Sequence, residues 1–482
     1  MDRPLGDRAH PVIPPEERVF VNRNLRLDRI DVVGFDMDYT LAIYVQPEMD
    51  RLSVEATVDK LVALRGYPPE IRELPCDCAF PIRGLIVDKR HGHLLKMDRY
   101  RYVAKAYHGH DLVSKEDRER LYQQTKIEPA DDRFHWIDTL YALPEAALYA
   151  ALVPFLEARG ELDHAKLFED IRECIDLSHK DDSILPVMLA GPARYFFRDP
   201  KLPATLHKLR SAGKRLFLLT NSQRDYTDRM MTWLLDGGVA GYPSWHHYFD
   251  AVVVDARKPS FFTTSRPFLE RGPDGLREAP GDGFERGRIY EQGNLRELER
   301  RLETGGDRVL YVGDHIYGDI LRSKKHSTWR TAMIIQEMDQ ELRASGETSE
   351  ARQSLDDLEE RRARREERLR WHQAELKRME KEGNGERGGS DDDARRELRK
   401  EVDALRLELR DLGRESRALE AEIDRRYHPA WGSLFRDGTE ESLFGKQVEE
   451  YACVYTSRVS NLLGYSATQY FRSPRDRMPH ET

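Results

Sequence analysis

The sequence predicts a doubly wound, mostly parallel α/β sheet, interrupted by an inserted α+β cap and extended by a long charged helical hairpin. Three observations carry that prediction. Predominantly apolar runs recur at residues 30–35, 215–219, 249–254, 308–312 and 331–335, and such strands suit a parallel sheet buried on both faces. Helix-like segments alternate with them, which is the pattern of βαβ winding. Four successive runs end in Asp-x-Asp, Thr-Asn-Ser, Lys and Asp-(x)4-Asp, and ligands of such sheets gather beyond the strands' carboxyl ends.

Composition narrows the classes. A chain of 482 residues is long enough for several domains, and 34% charged residues beside 39% hydrophobic ones imply a compact part and a heavily solvated part. The net charge of -9 argues against a general nucleic-acid binder. Cys76, Cys78, Cys174 and Cys453 are too few for a disulfide framework, and one C-x-C without a second pair does not make a zinc site. Residues 1–15 are polar and Pro-rich, and no run reaches the roughly 20 apolar residues of a membrane span. A soluble, cytoplasmic protein with no membrane and no nucleic-acid partner is expected.

The elements follow in order. Residues 1–16 read as a flexible arm, and Val19-Phe20-Val21-Asn22 as a short edge strand or an anchor. The run 30–35 then delivers Asp36 and Asp38. Between residues 45 and 200 the pattern changes, and this block reads as the cap. It contains a helix over 54–64 stopped by Gly66, a hairpin from 85–88 and 94–98 around Gly92, and helices over 134–156 and 167–177. The core resumes over 201–338. It begins with a helix over 201–209 stopped by Gly213, then the 215–219 strand, a helix over 225–235 and the 249–254 strand. The Gly-rich stretch 272–293 reads as a surface loop, and strands at 308–312 and 331–335 complete the core. Residues 339–426 form two charge-rich helical segments around a Gly-rich turn. The second carries Leu398, Val402, Leu405, Leu409, Leu412, Leu419 and Ile423 at alternating spacings of four and three, with Ser416 in one seat, which is a heptad seam. Arg361 to Arg370 is interleaved with Glu and reads as a solvated face. Residues 427–482 regain aromatic character, with a helix over 451–463, and are expected to pack back on the core.

The chemistry starts from Asp36 and Asp38. Residues i and i+2 of an extended chain face the same side, so two carboxylates converge at a strand end and require an offsetting charge, most simply Mg²⁺. A carboxylate nucleophile at Asp36 can take a phosphoryl group as an acyl phosphate. Asp38 can protonate the leaving oxygen and later accept a proton from water. Lys258 neutralises phosphoryl oxygens, and Thr220, Asn221 and Ser222 supply donors at a strand-to-helix turn. Mg²⁺ would bridge Asp36, the backbone carbonyl of Asp38, and Asp314, with Asp319 supporting that site through a water or Lys258.

These residues resemble the haloacid dehalogenase superfamily, whose core is Rossmann-like, and more narrowly the cytosolic purine 5′-nucleotidase and its bacterial relatives. The resemblance rests on Asp36-Met37-Asp38-Tyr39-Thr40-Leu41-Ala42, Thr220-Asn221-Ser222, Asp255-Ala256-Arg257-Lys258-Pro259 and the run from Gly313-Asp314-His315 to Asp319-Ile320-Leu321. Phe80-Pro81-Ile82-Arg83-Gly84-Leu85, Leu143-Pro144-Glu145, Gly432-Ser433-Leu434-Phe435-Arg436 and Met478-Pro479-His480-Glu481 extend it. It implies Mg²⁺-dependent hydrolysis of purine nucleoside 5′-monophosphates, phosphoryl transfer to a nucleoside acceptor, and a homo-oligomer, dimer or tetramer. It also implies that Arg172, Asp176 and His179 lie in the cap's substrate region and that Tyr141 stacks on the base. Asp138 stands where the purine enzyme carries an amide that reads the base, no cap lysine is found around Leu185, and the hairpin is longer than the family segment. Two alternatives stand beside this reading: a phosphatase of the same chemistry acting on another small metabolite, and a non-catalytic scaffold working through the hairpin.

Overall fold

The computed structural model describes residues 13–125, 127–273, 275–281, 283–316, 319, 327–382 and 390–474. Residues 1–12 of the expected arm, the Gly-rich turn at 383–389, the closing motif at 478–481 and Tyr317, Gly318, Ile320 and Leu321 lie outside them. Residues up to Asp339 together with those from Leu434 form one compact unit, and Gln340–Ser433 a second.

Ten strands make the larger sheet of the first unit. Seven are parallel, in the order Val454–Thr456, Arg330–Ile334, Val309–Gly313, Val32–Phe35, Arg215–Leu219, Ala251–Val254 and Ile289–Gln292. Val32–Phe35 lies in the middle, with Phe35 beside Leu218 on one side and Val312 on the other. Successive side chains enter opposite faces. Val33, Phe35, Leu216 and Leu218 join one apolar cluster, whereas Val32, Phe217 and Leu219 join another. This two-sided burial is why the strands read as continuous apolar runs. Gly34 is fixed by a close approach: a Cβ there would lie 2.0 Å from Phe217 Cζ.

A second sheet has five antiparallel strands, in the order Asp111–Leu112, Val103–His108, His93–Met97, Leu85–Asp88 and Phe134–Ile137. The helices Gln46–Arg65, Leu143–Glu157 and His164–Lys180 pack against one another beside it. Two of these outrun their expected bounds. Pro47 starts the first about two turns early, and the Asp163 side chain, accepting from the Lys166 amide, caps the third.

Three stretches differ in kind from expectation. Residues 134–156 are not one helix: Phe134–Ile137 is a strand paired with Leu85–Asp88, and the helix starts only at Leu143. Arg133 forks onto Asp88 at 2.8 and 2.7 Å and pins that strand in register. The stretch 272–293 is not a loop throughout, because Gly275–Glu278 pairs antiparallel with Phe268–Gly272 and Ile289–Gln292 adds a parallel strand. Residues 451–463 are not a helix; Val454–Thr456, rich in strand-forming types, extends the large sheet, and a short 3-10 turn follows at Val459–Gly464. One composition reading also changes. Leu140–Glu157 is long and apolar enough to cross a membrane by length and composition, although 72% of it is buried in the fold.

In the second unit, Ser349–Glu382 and Ser390–Tyr427 pack along one another. Cross-helix ion pairs Arg365–Glu408, His372–Glu401 and Arg399–Glu380 run in opposite order along the two helices, so they are antiparallel. Val402, Leu405, Leu412 and Ile423 of the seam are buried.

Candidate active site

The central strand ends at Phe35, and Asp36 keeps one more sheet bond, its amide donating to Val312 O at 2.9 Å. The chain then turns sharply, with the amides of Leu41 and Ala42 both donating to Met37 O at 2.9 Å and Tyr39 at φ 57°. The turn turns both acidic side chains into one cavity of about 720 Å³. All thirteen residues named from the sequence line it: Asp36, Asp38, Asp138, Tyr141, Arg172, Asp176, His179, Thr220, Asn221, Ser222, Lys258, Asp314 and Asp319.

At the floor, Lys258 ties two carboxylates together. Its Nζ lies 2.8 Å from Asp36 Oδ1 and 2.7 Å from Asp319 Oδ1, and it donates to Tyr311 Oη at 3.1 Å. Residues preceding it adopt left-handed backbone, Asp255 at φ 45° and Arg257 at φ 58°, which costs energy for side chains with a Cβ. Asn221 fixes the end of this loop reciprocally: the Lys258 amide donates to Asn221 Oδ1 at 2.6 Å, and Asn221 Nδ2 donates to Lys258 O at 3.0 Å. The Asn221 side chain is therefore engaged with Lys258's backbone. Thr220 is fully buried, and its Oγ1 accepts from the Ser222 amide at 3.0 Å.

Asp38 sits apart from the lysine. Its Oδ1 accepts from Tyr44 Oη at 2.7 Å and Tyr226 Oη at 3.3 Å, and its Oδ2 from Ser222 Oγ at 2.5 Å. Three hydroxyls thus fix one carboxylate while the ammonium fixes the other. The two acids of the motif have different surroundings, as separate roles require.

Electrostatics follow from burial. Burial raises the Asp36 carboxyl well above its ordinary value, the neighbouring Asp319 adds to this, and Lys258 opposes it. Burial and Asp319 push Asp314 up to about 7, opposed mainly by Arg83. Burial alone would lower Lys258, but Asp319 and Asp36 overcome it and hold the ammonium charged. Ligand atoms of Asp36, Asp314 and Asp319 lie within 4.8 Å of one another. Asp319 Oδ2 is buried and has no hydrogen-bond partner among the described residues. Three crowded carboxylates with one orphaned oxygen are a hard-oxygen donor set, which fits Mg²⁺. Gly313 makes room for this, since a Cβ there would lie 2.7 Å from Asp319 Oδ2.

The opposite end of the cavity is built from the smaller sheet and its helices. The rings of Tyr141 and His179 lie 4.6 Å apart, and burial lowers the imidazole to about 4. Asp138 Oδ2 lies 3.1 Å from His315 Nε2. Glu145, pushed up to about 7 by burial, has its Oε2 3.6 Å from Arg172 Nε, and both atoms are buried without a hydrogen-bond partner among the described residues. Tyr44, Tyr226, Tyr311, His315 and Glu145 were not among the expected site residues. The Tyr–Asp38 contacts span up to 188 positions, and no sequence pattern marks them.

Comparison with known proteins agrees with this geometry. The chain matches the 5′ nucleotidase family over residues 19–482. It is 30% identical over 489 residues to a 5′-nucleotidase domain-containing protein of Dictyostelium discoideum, covering 100% of this chain and 77% of that one. It is likewise 30% identical over 491 residues to 5′-nucleotidase domain-containing protein 2 of Homo sapiens, covering 98% of this chain and 87% of that one. The match runs through both sheets and every strand end described above, and the chain therefore belongs to the 5′ nucleotidase family, as a phosphoric monoester hydrolase.

Proposed function

We propose that this hydrolase is Mg²⁺-dependent and cleaves purine nucleoside 5′-monophosphates through an aspartyl-phosphate on Asp36. The observation that carries the reading is the division of labour at the cavity floor. Asp36 is oriented by Lys258 at 2.8 Å and by the Met37 amide at 2.7 Å, while Asp38 is held separately by hydroxyls. In the first step Asp36 attacks phosphorus, the bond to the ester oxygen breaks, and that oxygen takes a proton from Asp38. In the second, water loses a proton to Asp38 and attacks the acyl phosphate, releasing phosphate and restoring the Asp36 carboxylate and the protonated Asp38. A nucleoside hydroxyl in the place of water would give phosphoryl transfer.

Lys258 offsets the phosphoryl charge but cannot do so alone. Eight carboxylates line the cavity against Arg172, Lys180 and Lys258 as its non-histidine cations. A dianionic ester entering that excess needs a further positive charge. Asp36, Asp314 and Asp319, with the Asp38 carbonyl, would hold Mg²⁺, which when bound supplies that charge and polarises the phosphoryl oxygens.

A second reading, hydrolysis of another small phosphomonoester, is favoured by two observations at the far end. Asp138 is engaged with His315, and Tyr141, the expected base-stacking ring, already lies against His179 with ring centroids 4.6 Å apart. Phosphate release from a panel of nucleotides and sugar phosphates, with and without Mg²⁺, separates them. Release from purine monophosphates that requires Mg²⁺ is expected. Release from sugar phosphates alone would replace the first reading by the second.

A further inference from the structure

Arg83 has no place in the reaction as drawn, yet it is among the largest fully buried side chains of the molecule. It stands just before Gly84, which leads into the Leu85–Asp88 strand of the smaller sheet. Its Nε donates to Glu337 Oε1 at 2.6 Å and its Nη2 to Glu337 Oε2 at 2.5 Å, a two-pronged fork. The remaining Nη1 donates to the backbone carbonyl of Asp314 at 3.1 Å. The guanidinium also lies 5.2 Å over the Phe444 ring, and Gly84 leaves space for the Phe444 Cβ. One side chain thus joins the start of the smaller sheet, the residues after the Arg330–Ile334 strand, the C-terminal segment and the loop that carries Asp314.

We propose that Arg83 is a positioning residue for the reaction: clamped by Glu337, its third prong holds the Asp314 carbonyl and so fixes the carboxylate that faces Asp36 and Asp319. The proposal rests on the reading of those three carboxylates as the Mg²⁺ site. A planar fork is needed because two parallel bonds to Glu337 leave the third N–H pointing in one direction only. Lysine, a single point donor on a flexible stem, cannot reproduce this. Asp314 sits on the first residue after its strand, where the sheet no longer dictates backbone placement, so an outside hold on its carbonyl sets the side chain's reach. A purely structural salt bridge would anchor the two segments equally well without that third bond, and the test separates the two.

Mg²⁺ binding is measured by titration calorimetry on the full-length wild type, Arg83→Lys and Glu337→Gln, with thermal unfolding of each. Wild-type binding is required first, and its absence would remove the metal reading and this proposal together. Given wild-type binding, Arg83→Lys that folds is expected to bind Mg²⁺ about 10-fold or more weakly, as loss of an outer support does at metal sites. Its KM for the phosphate ester at saturating Mg²⁺ should stay within about 2-fold of wild type, because Arg83 does not line the cavity. Glu337→Gln, which keeps Arg83 but weakens its clamp, should fall between the two. Wild-type Mg²⁺ affinity in folded Arg83→Lys overturns the proposal while leaving the metal site standing. Should Arg83→Lys fail to fold, wild-type affinity in Glu337→Gln overturns it instead.

Discussion

The two ends of one cavity are built in opposite ways. At the floor, Asp36, Asp38, Lys258 and Asp319 each hold a partner within 2.8 Å. Toward the smaller sheet, Glu145 Oε2 and Arg172 Nε are buried 3.6 Å apart as an ion pair with no hydrogen bond to either atom among the described residues. Leaving buried polar groups without partners is costly, so natural proteins do it mainly where a ligand will complete them. The difference teaches that the nucleophile, its neighbouring acid and the lysine are held in place beforehand, with Asp319 Oδ2 left open for a metal, whereas the far end leaves its ion pair open to a ligand.

Substitutions at the floor should break the comparison most severely. Asp36→Asn keeps shape but removes the nucleophile, and turnover should fall by about 10⁴-fold or more with the fold intact by circular dichroism. Asp38→Asn should cost about 10²–10⁴-fold, the range for losing a general acid–base. That loss should shrink for esters with good leaving groups, which need no proton, and steady-state kinetics on an aryl phosphate checks this. Lys258→Met strands Asp36 and Asp319 as buried, unneutralised carboxylates. It should destabilise the Mg²⁺-free protein by about 3–5 kcal/mol in urea unfolding, and added Mg²⁺ should recover part of that.

The far end should give the smallest effects, with a sign set by burial. Glu145 titrates at about 7 in the folded protein against an ordinary 4.5. The folded state therefore binds this proton more tightly than the unfolded chain. Its contribution is fully present below pH 4.5 and is lost as the pH rises through 7. Glu145→Gln removes that loss and should stabilise the substrate-free protein at pH 8 by about 1–3 kcal/mol while weakening substrate binding. An unchanged melting temperature at pH 8 would place Glu145 among ordinary ion pairs and blur the distinction between the two ends.

The floor was legible because its residues sit at the ends of strands buried on both faces, where composition and position coincide. Val32–Phe35, Arg215–Leu219 and Val309–Gly313 announce themselves by continuous apolar residues, and Asp36, Thr220 and Asp314 follow directly. The outer strands were not legible. Only Asp138 and Thr139 interrupt the apolar character between Phe134–Ile137 and the turn and helix that follow, and Val454–Thr456 is only three residues long. Contacts that cross the sequence were hidden for another reason: Tyr226 reaches Asp38 across 188 positions and Arg83 reaches Glu337 across 254. The far-end residues came into view through family resemblance, since nothing in their local pattern marks a Tyr or an Arg as facing a cavity.

The covalent step is the most direct point of attack. Wild-type protein turning over a phosphate ester in the presence of Mg²⁺ is quenched in acid, digested and examined by peptide mass spectrometry. The account predicts one phosphoryl group on the peptide carrying Asp36, removable by hydroxylamine and absent from Asp36→Asn. A phosphoryl group on any other peptide, or one that persists in Asp36→Asn, would contradict it.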